Sequence, residues 1–149
     1  MKLLISILAS AALLGGCAST RLAESDRLAL HRGHAGAPVN HFKYFGSING
    51  WTPLGDSALT VWTRPNQAYL LELAGPCPEL DFAPAISISN QMGRVSARFD
   101  KVTVQGRSHS PVFPCHIREI RPLDVKALKQ AERDLRKANA VERETSERG

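Results

Sequence analysis

The middle of the chain alternates between hydrophobic and polar residues with a period of two, which is typical of half-buried β-strands. The clearest example is the pair of runs 57–63 and 68–73, which are rich in strand-forming residues. Residues 65–66 (Pro-Asn) lie between these runs and suit a tight turn. The pattern predicts a β-hairpin whose first strand directs Leu59 and Trp62 to opposite faces of the sheet.

Several other short runs share this character and are separated by glycine- and proline-containing turns. Together they predict a mainly β domain over residues 41–123, with six or seven short strands in a small antiparallel sandwich or a partly open barrel. The additional runs are 41–51, 85–89, 94–99, 101–105 and 115–121, and residues 106–114 are predicted to form a loop.

The pattern changes to a helical period in residues 124–149. Asp124 is a typical N-cap residue. A narrow stripe of small and apolar side chains follows at spacings of three and four, and residues 142–149 are expected to fray. We expect a charged helix that docks loosely on the sheet; the alternative is a helix that binds a partner or forms a coiled coil. The stripe consists of Leu128, Ala131, Leu135 and Ala138.

The first 16 residues are typical of a signal peptide. Residues 3–14 form an uncharged apolar run after a short basic start, and the run is too short for an ordinary membrane-spanning helix. It ends in Leu14-Gly15-Gly16-Cys17, which resembles a bacterial lipobox. This resemblance implies that Cys17 becomes lipidated after cleavage. Ala18 follows it, which implies sorting to the outer membrane rather than retention in the inner membrane.

Residues 17–40 are predicted to be a lipidated, flexible tether. Their apolar positions do not sustain a helical stripe, and Gly33, Gly36 and Pro38 interrupt the segment. One helical turn near 23–30 is the only regular structure expected. A coil of this length spans roughly 26 Å root-mean-square, so the domain is expected to hover near the membrane.

The distribution of charge along the chain bears on which partners it can bind. The 149 residues carry 19 Lys and Arg against 14 Asp and Glu, a formal charge of +5. In sequence the basic residues are spread evenly, whereas a nucleic-acid-binding protein concentrates them on one element. Nucleic acid is therefore not an expected partner.

Two cysteines remain once Cys17 is assigned to the lipid. Cys77 and Cys115 are then an even number of cysteines in a chain that is expected to be exported to an oxidising compartment. This favours an intramolecular disulfide. Two separate buried thiols or intermolecular pairing are the alternatives.

No catalytic motif is present in the sequence, so an enzyme is not expected. No cofactor or metal is expected either. His31 and His34 lie close together and His41 follows, but a flexible segment loses entropy when its histidines converge on a metal.

The candidate ligand surface is aromatic. Trp51, Trp62 and Tyr69, together with Arg64 at the hairpin turn, are residue types common in glycan and peptide contacts. The alternative is that Trp51 and Tyr69 belong to the core and Trp62 covers a sheet edge.

A succession of short motifs in residues 46–124 resembles an uncharacterised family of small secreted or lipid-anchored proteobacterial proteins, a domain of unknown function. The resemblance implies an envelope location and a pairing of Cys77 with Cys115, and it carries no activity. The motifs are Gly50-Trp51-x-x-Leu54, Tyr69-Leu70-x-x-Leu73, Cys77-Pro78-x-Leu80, Arg98-Phe99-Asp100-x-Val102-x-Val104 and Cys115-x-Ile117-x-x-Ile120 through Asp124.

The sequence therefore predicts a lipoprotein on the periplasmic face of the outer membrane. It is expected to act as a non-catalytic interaction or structural module toward an envelope protein or a cell-wall component. The alternative is a ligand- or metal-binding module that uses the sheet aromatics or the tether histidines.

Overall fold

The computed structural model describes residues 18–106 and 114–148. Two helices flank eight strands and one short 3₁₀ turn in the described chain. In order they are α1 (Ala18–Gly33), β1 (His41–Lys43), β2 (Gly50–Pro53), β3 (Ala58–Arg64), β4 (Gln67–Leu73), the 3₁₀ turn (Leu80–Phe82), β5 (Ala85–Ile88), β6 (Arg94–Ser96), β7 (Lys101–Gln105), β8 (Pro114–Pro122) and α2 (Val125–Glu147).

Six of the strands form one antiparallel sheet in the order β2-β3-β4-β8-β7-β5, which curls into a half-barrel. β1 and β6 pair separately as a two-stranded ribbon. The predicted mainly β fold with a partly open barrel is confirmed. The strand number exceeds the expected six or seven because the run 41–51 divides into β1 and β2, which belong to different sheets.

The predicted hairpin is confirmed as β3 and β4, joined at Pro65 and Asn66. Leu59 and Val61 are fully buried in the concave core, as the alternation predicts. A β-bulge between Trp62 and Arg64 interrupts the alternation at the end of β3.

The concave face of the half-barrel is closed by the β1–β6 ribbon. Phe42 and Val95 lie opposite each other in this ribbon, and both are buried in the same core cluster as Leu71 and Ile117 of the sheet. The ribbon therefore supplies the second layer that a curved sheet needs on its inner face.

The convex face of the sheet is covered by the helices. Leu54, Ala58 and Leu70 form a second buried cluster against Leu28 of α1 and Leu123 before α2. β3 and β4 are therefore apolar on both faces, which explains the nearly continuous hydrophobic sequence of β4.

The predicted C-terminal helix is present as α2. Asp124 caps it, since its carboxylate accepts a hydrogen bond of 3.0 Å from the Ala127 N–H. Leu128 is fully buried, whereas Leu135 is 37% exposed. Only the first turns of α2 pack on the domain. The helix continues through Glu147, although fraying was predicted from residue 142.

The prediction of a flexible tether differs from the structure over residues 18–40. Residues 18–33 form α1, and Ala35 and Val39 pair with Leu123 and Ile120. This segment continues the sheet beside the end of β8, where β7 no longer pairs with it. The helical face was missed because one of its buried positions is a histidine, His31, in the last turn of α1.

The predicted disulfide is confirmed. Cys77, after β4, is bonded to Cys115 in β8, with 5.6 Å between the Cα atoms. Both residues are buried in the concave core. The bond links the connection between β4 and β5 to a central strand of the sheet.

We expect replacement of both Cys77 and Cys115 by Ala to lower the free energy of unfolding by about 4 kcal/mol, because the unfolded chain loses its covalent loop. Urea denaturation of the oxidised protein and of the variant measures this difference. Reduced wild-type protein serves as the control and should resemble the variant. Equal denaturation midpoints for all three samples would contradict the prediction.

Candidate binding surface

Three adjacent strands bring two of the predicted aromatic residues to one face of the sheet. Trp51 of β2 is paired with Val61 of β3, and Val61 is paired with Tyr69 of β4. Trp51 and Tyr69 are half-buried and pack against the concave core. They therefore share one face, separated by two strand spacings of roughly 5 Å each.

Tyr69 is held in place from two sides. Its ring stacks on Phe42 of β1 with 4.6 Å between the ring centroids. Its hydroxyl accepts a hydrogen bond of 3.1 Å from the Gln67 side chain. Because the ring is stacked and the hydroxyl is bonded, the position of Tyr69 is defined before any ligand arrives.

Arg64 adds a cation to this part of the sheet. Its guanidinium carbon lies 5.4 Å from the centroid of the Phe45 ring, and Phe45 is 63% exposed. Sequence reasoning missed Phe45 because it follows β1 and has no place in a strand alternation. We call Phe45, Trp51, Arg64 and Tyr69 the aromatic rim.

Trp62 does not join the aromatic rim. It is paired with Ala68 and faces the helices, where the Lys129 ammonium lies 5.4 Å from the centroid of its ring. Lys129 also donates a hydrogen bond of 3.2 Å to the Pro65 carbonyl. Trp62 thus takes part in the contact between α2 and the hairpin, and the four predicted residues are divided between two faces.

A buried carboxylate on the helix-covered side holds two arginines. Glu72 of β4 is 6% exposed, and its carboxylate accepts hydrogen bonds of 2.9 and 3.1 Å from Arg32 of α1. Arg118 of β8 donates a third bond of 2.8 Å. The cluster fastens α1 to the centre of the sheet.

The electrostatics of Glu72 follow from this arrangement. The hydrogen bonds from Arg32 lower the pKa of the Glu72 carboxyl, and burial opposes them with a smaller effect. Glu72 therefore stays ionised and bonded to its partners at neutral pH, which makes it a structural anion rather than a proton donor.

His31 is also a structural residue. It is 2% exposed, and its Nδ1 lies 2.8 Å from the Arg27 carbonyl and donates to it. Its Nε2 lies 3.8 Å from a carboxylate oxygen of Glu132 on α2. Burial lowers the pKa of His31 below the ordinary value of 6.5. The structure thus places His31 between two helices and not on an exposed, mobile tether.

Asp100 likewise stabilises a turn. Its carboxylate accepts hydrogen bonds of 2.6 Å from the Ser89 hydroxyl and 2.7 Å from the Ser96 N–H. The bonds join Asp100, which precedes β7, to the residue after β5 and to the last residue of β6, as expected for a turn residue.

A hollow of about 450 Å³ lies beside the disulfide. Prolines and the disulfide form most of its wall, and His116 supplies the titratable side chain. Its lining is Ala74, Gly75, Pro76, Pro78, Pro114, Cys115 and His116. Such a wall offers an apolar surface and few groups for chemistry.

Several predicted features lie outside the described residues. These are the signal peptide 1–16, the lipid site Cys17 and most of the predicted loop 106–114. Among the residues that are described, no three metal-ligating side chains come together. Neither helix in residues 18–106 and 114–148 is long and apolar enough to cross a membrane.

Comparison with known proteins identifies the family. A model described as a family of unknown function (DUF6491) matches residues 1–139. The chain belongs to this family. The resemblance to an uncharacterised family is thereby confirmed, and the DUF6491 match extends well beyond residues 46–124. Neither the curated proteins nor the solved structures provide a significant match.

We expect Glu72→Gln to lower the free energy of unfolding at pH 7 by about 1.5–3 kcal/mol, because charge-assisted hydrogen bonds are lost. The lowered pKa makes this stabilisation fully present above the unfolded-state pKa of about 4.3 and lost as pH falls through the folded-state value. Wild-type stability should therefore decline more steeply than that of the variant in acid. Denaturation curves across this pH range measure the difference.

Glu119→Gln is the matched control. Glu119 lies opposite Glu72 on β8, but its nearest arginine contact is a 3.9 Å ion pair with Arg121. This variant should keep the wild-type pH profile. Identical profiles for both variants would contradict the structural role of Glu72.

Proposed function

We propose that this protein is a lipid-anchored component of the bacterial envelope, held on the periplasmic face of the outer membrane through Cys17. Its folded domain acts as a non-catalytic interaction module. The observation that carries the proposal is the apolar run 3–14, which ends in Leu14 and is followed directly by Gly15-Gly16-Cys17. Two or more acyl chains on one residue are sufficient for stable membrane attachment.

The disulfide supports this location. Cys77 and Cys115 are bonded inside the core, and structural disulfides persist in oxidising compartments such as the periplasm.

The environment of the buried polar residues supports a non-catalytic role. Glu72 and Asp100 are each bonded to groups on other segments, and buried His31 is bonded to the Arg27 carbonyl of its own helix. A catalytic acid or base needs access to a substrate, and these side chains are instead occupied in joining parts of the fold.

We expect the protein from native membranes to have the mass of residues 17–149 plus acyl chains, because cleavage precedes Cys17. Two thiols should become reactive only after reduction. Intact-mass spectrometry with alkylation before and after reduction measures both properties. A full-length, unacylated chain with free thiols would refute the envelope location.

Variants sharpen this test. Cys17→Ser should abolish acylation. The variant protein should then no longer be transferred from the inner membrane to the outer membrane. Ala18→Asp should keep the acyl chains and shift the protein to the inner-membrane fraction, because aspartate after the lipidated cysteine is typical of retained lipoproteins.

The aromatic rim is the surface that we propose for the interaction. Phe45 is exposed and Arg64 lies over its ring, while Trp51 and Tyr69 are fixed beside the core. Rigid aromatic side chains with a neighbouring arginine are common at the centres of binding sites. A glycan or small-ligand site at the same rim is the second candidate.

We expect a photo-crosslinking phenylalanine analogue at position 45 to form one reproducible protein adduct in living cells. The same analogue at position 82 is the control, because Phe82 is also an exposed phenylalanine and lies in the 3₁₀ turn between β4 and β5. Immunoblotting of the two strains measures adduct formation. Cell-wall adducts alone would favour the glycan candidate, and equal adducts at both positions would contradict a site at the rim.

A further inference from the structure

Helix α2 carries a row of basic residues on one face. The first four members are separated by three or four residues, and the fifth lies four residues after the third, which places all five on one side of the helix. All of them are exposed. We call this row the basic stripe; it consists of Lys126, Lys129, Arg133, Arg136 and Lys137. The even distribution of charge along the sequence concealed this row, because the basic residues come together on one side only when the segment is helical.

The acidic residues in the same part of α2 do not neutralise the basic stripe. Glu132 is directed toward His31 of α1, at 3.8 Å. Asp134 accepts hydrogen bonds of 3.0 and 3.2 Å from the Gln130 side chain. Within the described part of the chain, no ion pair involves a residue of the basic stripe.

The packing of α2 leaves the basic stripe in solvent. Leu128 is fully buried against the domain and fixes the rotation of the helix. Only Lys129 reaches the hairpin, at the Pro65 carbonyl. The other four cations lie along about three turns of straight helix and present a linear, positively charged surface.

We propose that the basic stripe binds the anionic phospholipid headgroups of the membrane that holds Cys17. This inference rests on the proposed lipid anchor. Each Lys or Arg close to an anionic bilayer favours the bound state roughly five-fold, so several together provide a second attachment signal. The phosphates of a bilayer form a continuous negative plane, which complements a straight row of cations.

The connection between the anchor and α2 favours a membrane over a soluble acidic partner. α1 is described from Ala18, the residue after Cys17 in sequence, and it packs against α2 near His31. The 13 residue-to-residue steps from Ala18 to His31 correspond to about 20 Å of helix. A surface held this close to the bilayer encounters lipid at a very high effective concentration, which a diffusing protein does not match.

The test uses the lipidated protein in vesicles, with Ala140→Cys labelled by an environment-sensitive dye. Ala140 is exposed and lies four residues after Arg136. Vesicles of phosphatidylcholine alone are compared with vesicles that also contain phosphatidylglycerol. We expect a blue shift and quenching by brominated lipid only with phosphatidylglycerol, and we expect both effects to disappear at high salt.

The variant Arg136→Gln/Lys137→Gln should lower the ratio of docked to undocked helix about 30-fold, because two of the five-fold contributions are removed. The matched control is Lys43→Gln/Arg94→Gln, which removes the same charge from an exposed cross-strand pair of the ribbon. The control should behave like the wild-type protein.

The outcomes separate this inference from the proposed function. Flotation with phosphatidylcholine vesicles tests the lipid anchor alone, and a protein without acyl chains would overturn both proposals. Flotation of the protein with no effect of phosphatidylglycerol on the dye would overturn only the proposal that the basic stripe binds headgroups. The proposal for the basic stripe would also be overturned if the variant and its control lowered the ratio of docked to undocked helix equally. Retention of the protein by purified cell wall instead of vesicles would overturn it as well.

Discussion

The burial of the β3–β4 hairpin on both faces is the constraint on which the rest of the structure depends. Leu59 and Leu71 are buried in the concave core, whereas Ala58 and Leu70 are buried under the helices. A single curved sheet with two apolar faces is stable only when both are covered. The β1–β6 ribbon covers one face and the two helices cover the other, so segments from both ends of the chain complete one fold.

Double-sided burial also explains the polar contacts. Glu72 lies between two buried leucines of β4, and a lone carboxylate in such a place is strongly unfavourable. Arg32 and Arg118 compensate for it from α1 and β8. The Glu72 carboxylate would destabilise the hairpin on its own, and its hydrogen bonds with Arg32 hold α1 in position. His31 lies buried between α1 and α2, where its Nδ1–H donates to the Arg27 carbonyl and its Nε2 lies 3.8 Å from a carboxylate oxygen of Glu132.

Features that depend on neighbouring residues were predictable from the sequence. The hairpin turn at residues 65–66 and the cap at Asp124 are local. The disulfide joins residues 38 apart, and the even number of remaining cysteines favoured it over separate thiols or intermolecular pairing. The helical covering was not predictable in the same way, because Arg32 and Glu72 are 40 residues apart. The candidate surface was predicted in part: strand alternation separates Trp62 from Trp51, but a bulge directs Arg64 toward Phe45, which belongs to no strand.

The pairing of residues 35–39 with β8 has a mechanical consequence. Ala35 and Val39 are joined to Leu123 and Ile120, and the Arg121 side chain holds the Gly36 carbonyl at 2.8 Å. A pull applied to the chain before Ala35 is thus transmitted to β8, the strand that carries Cys115, as well as to β4 through Arg32 and Glu72. Tension enters the fold at the interior of the sheet, and the covalent link at Cys115 passes it on to the segment after β4.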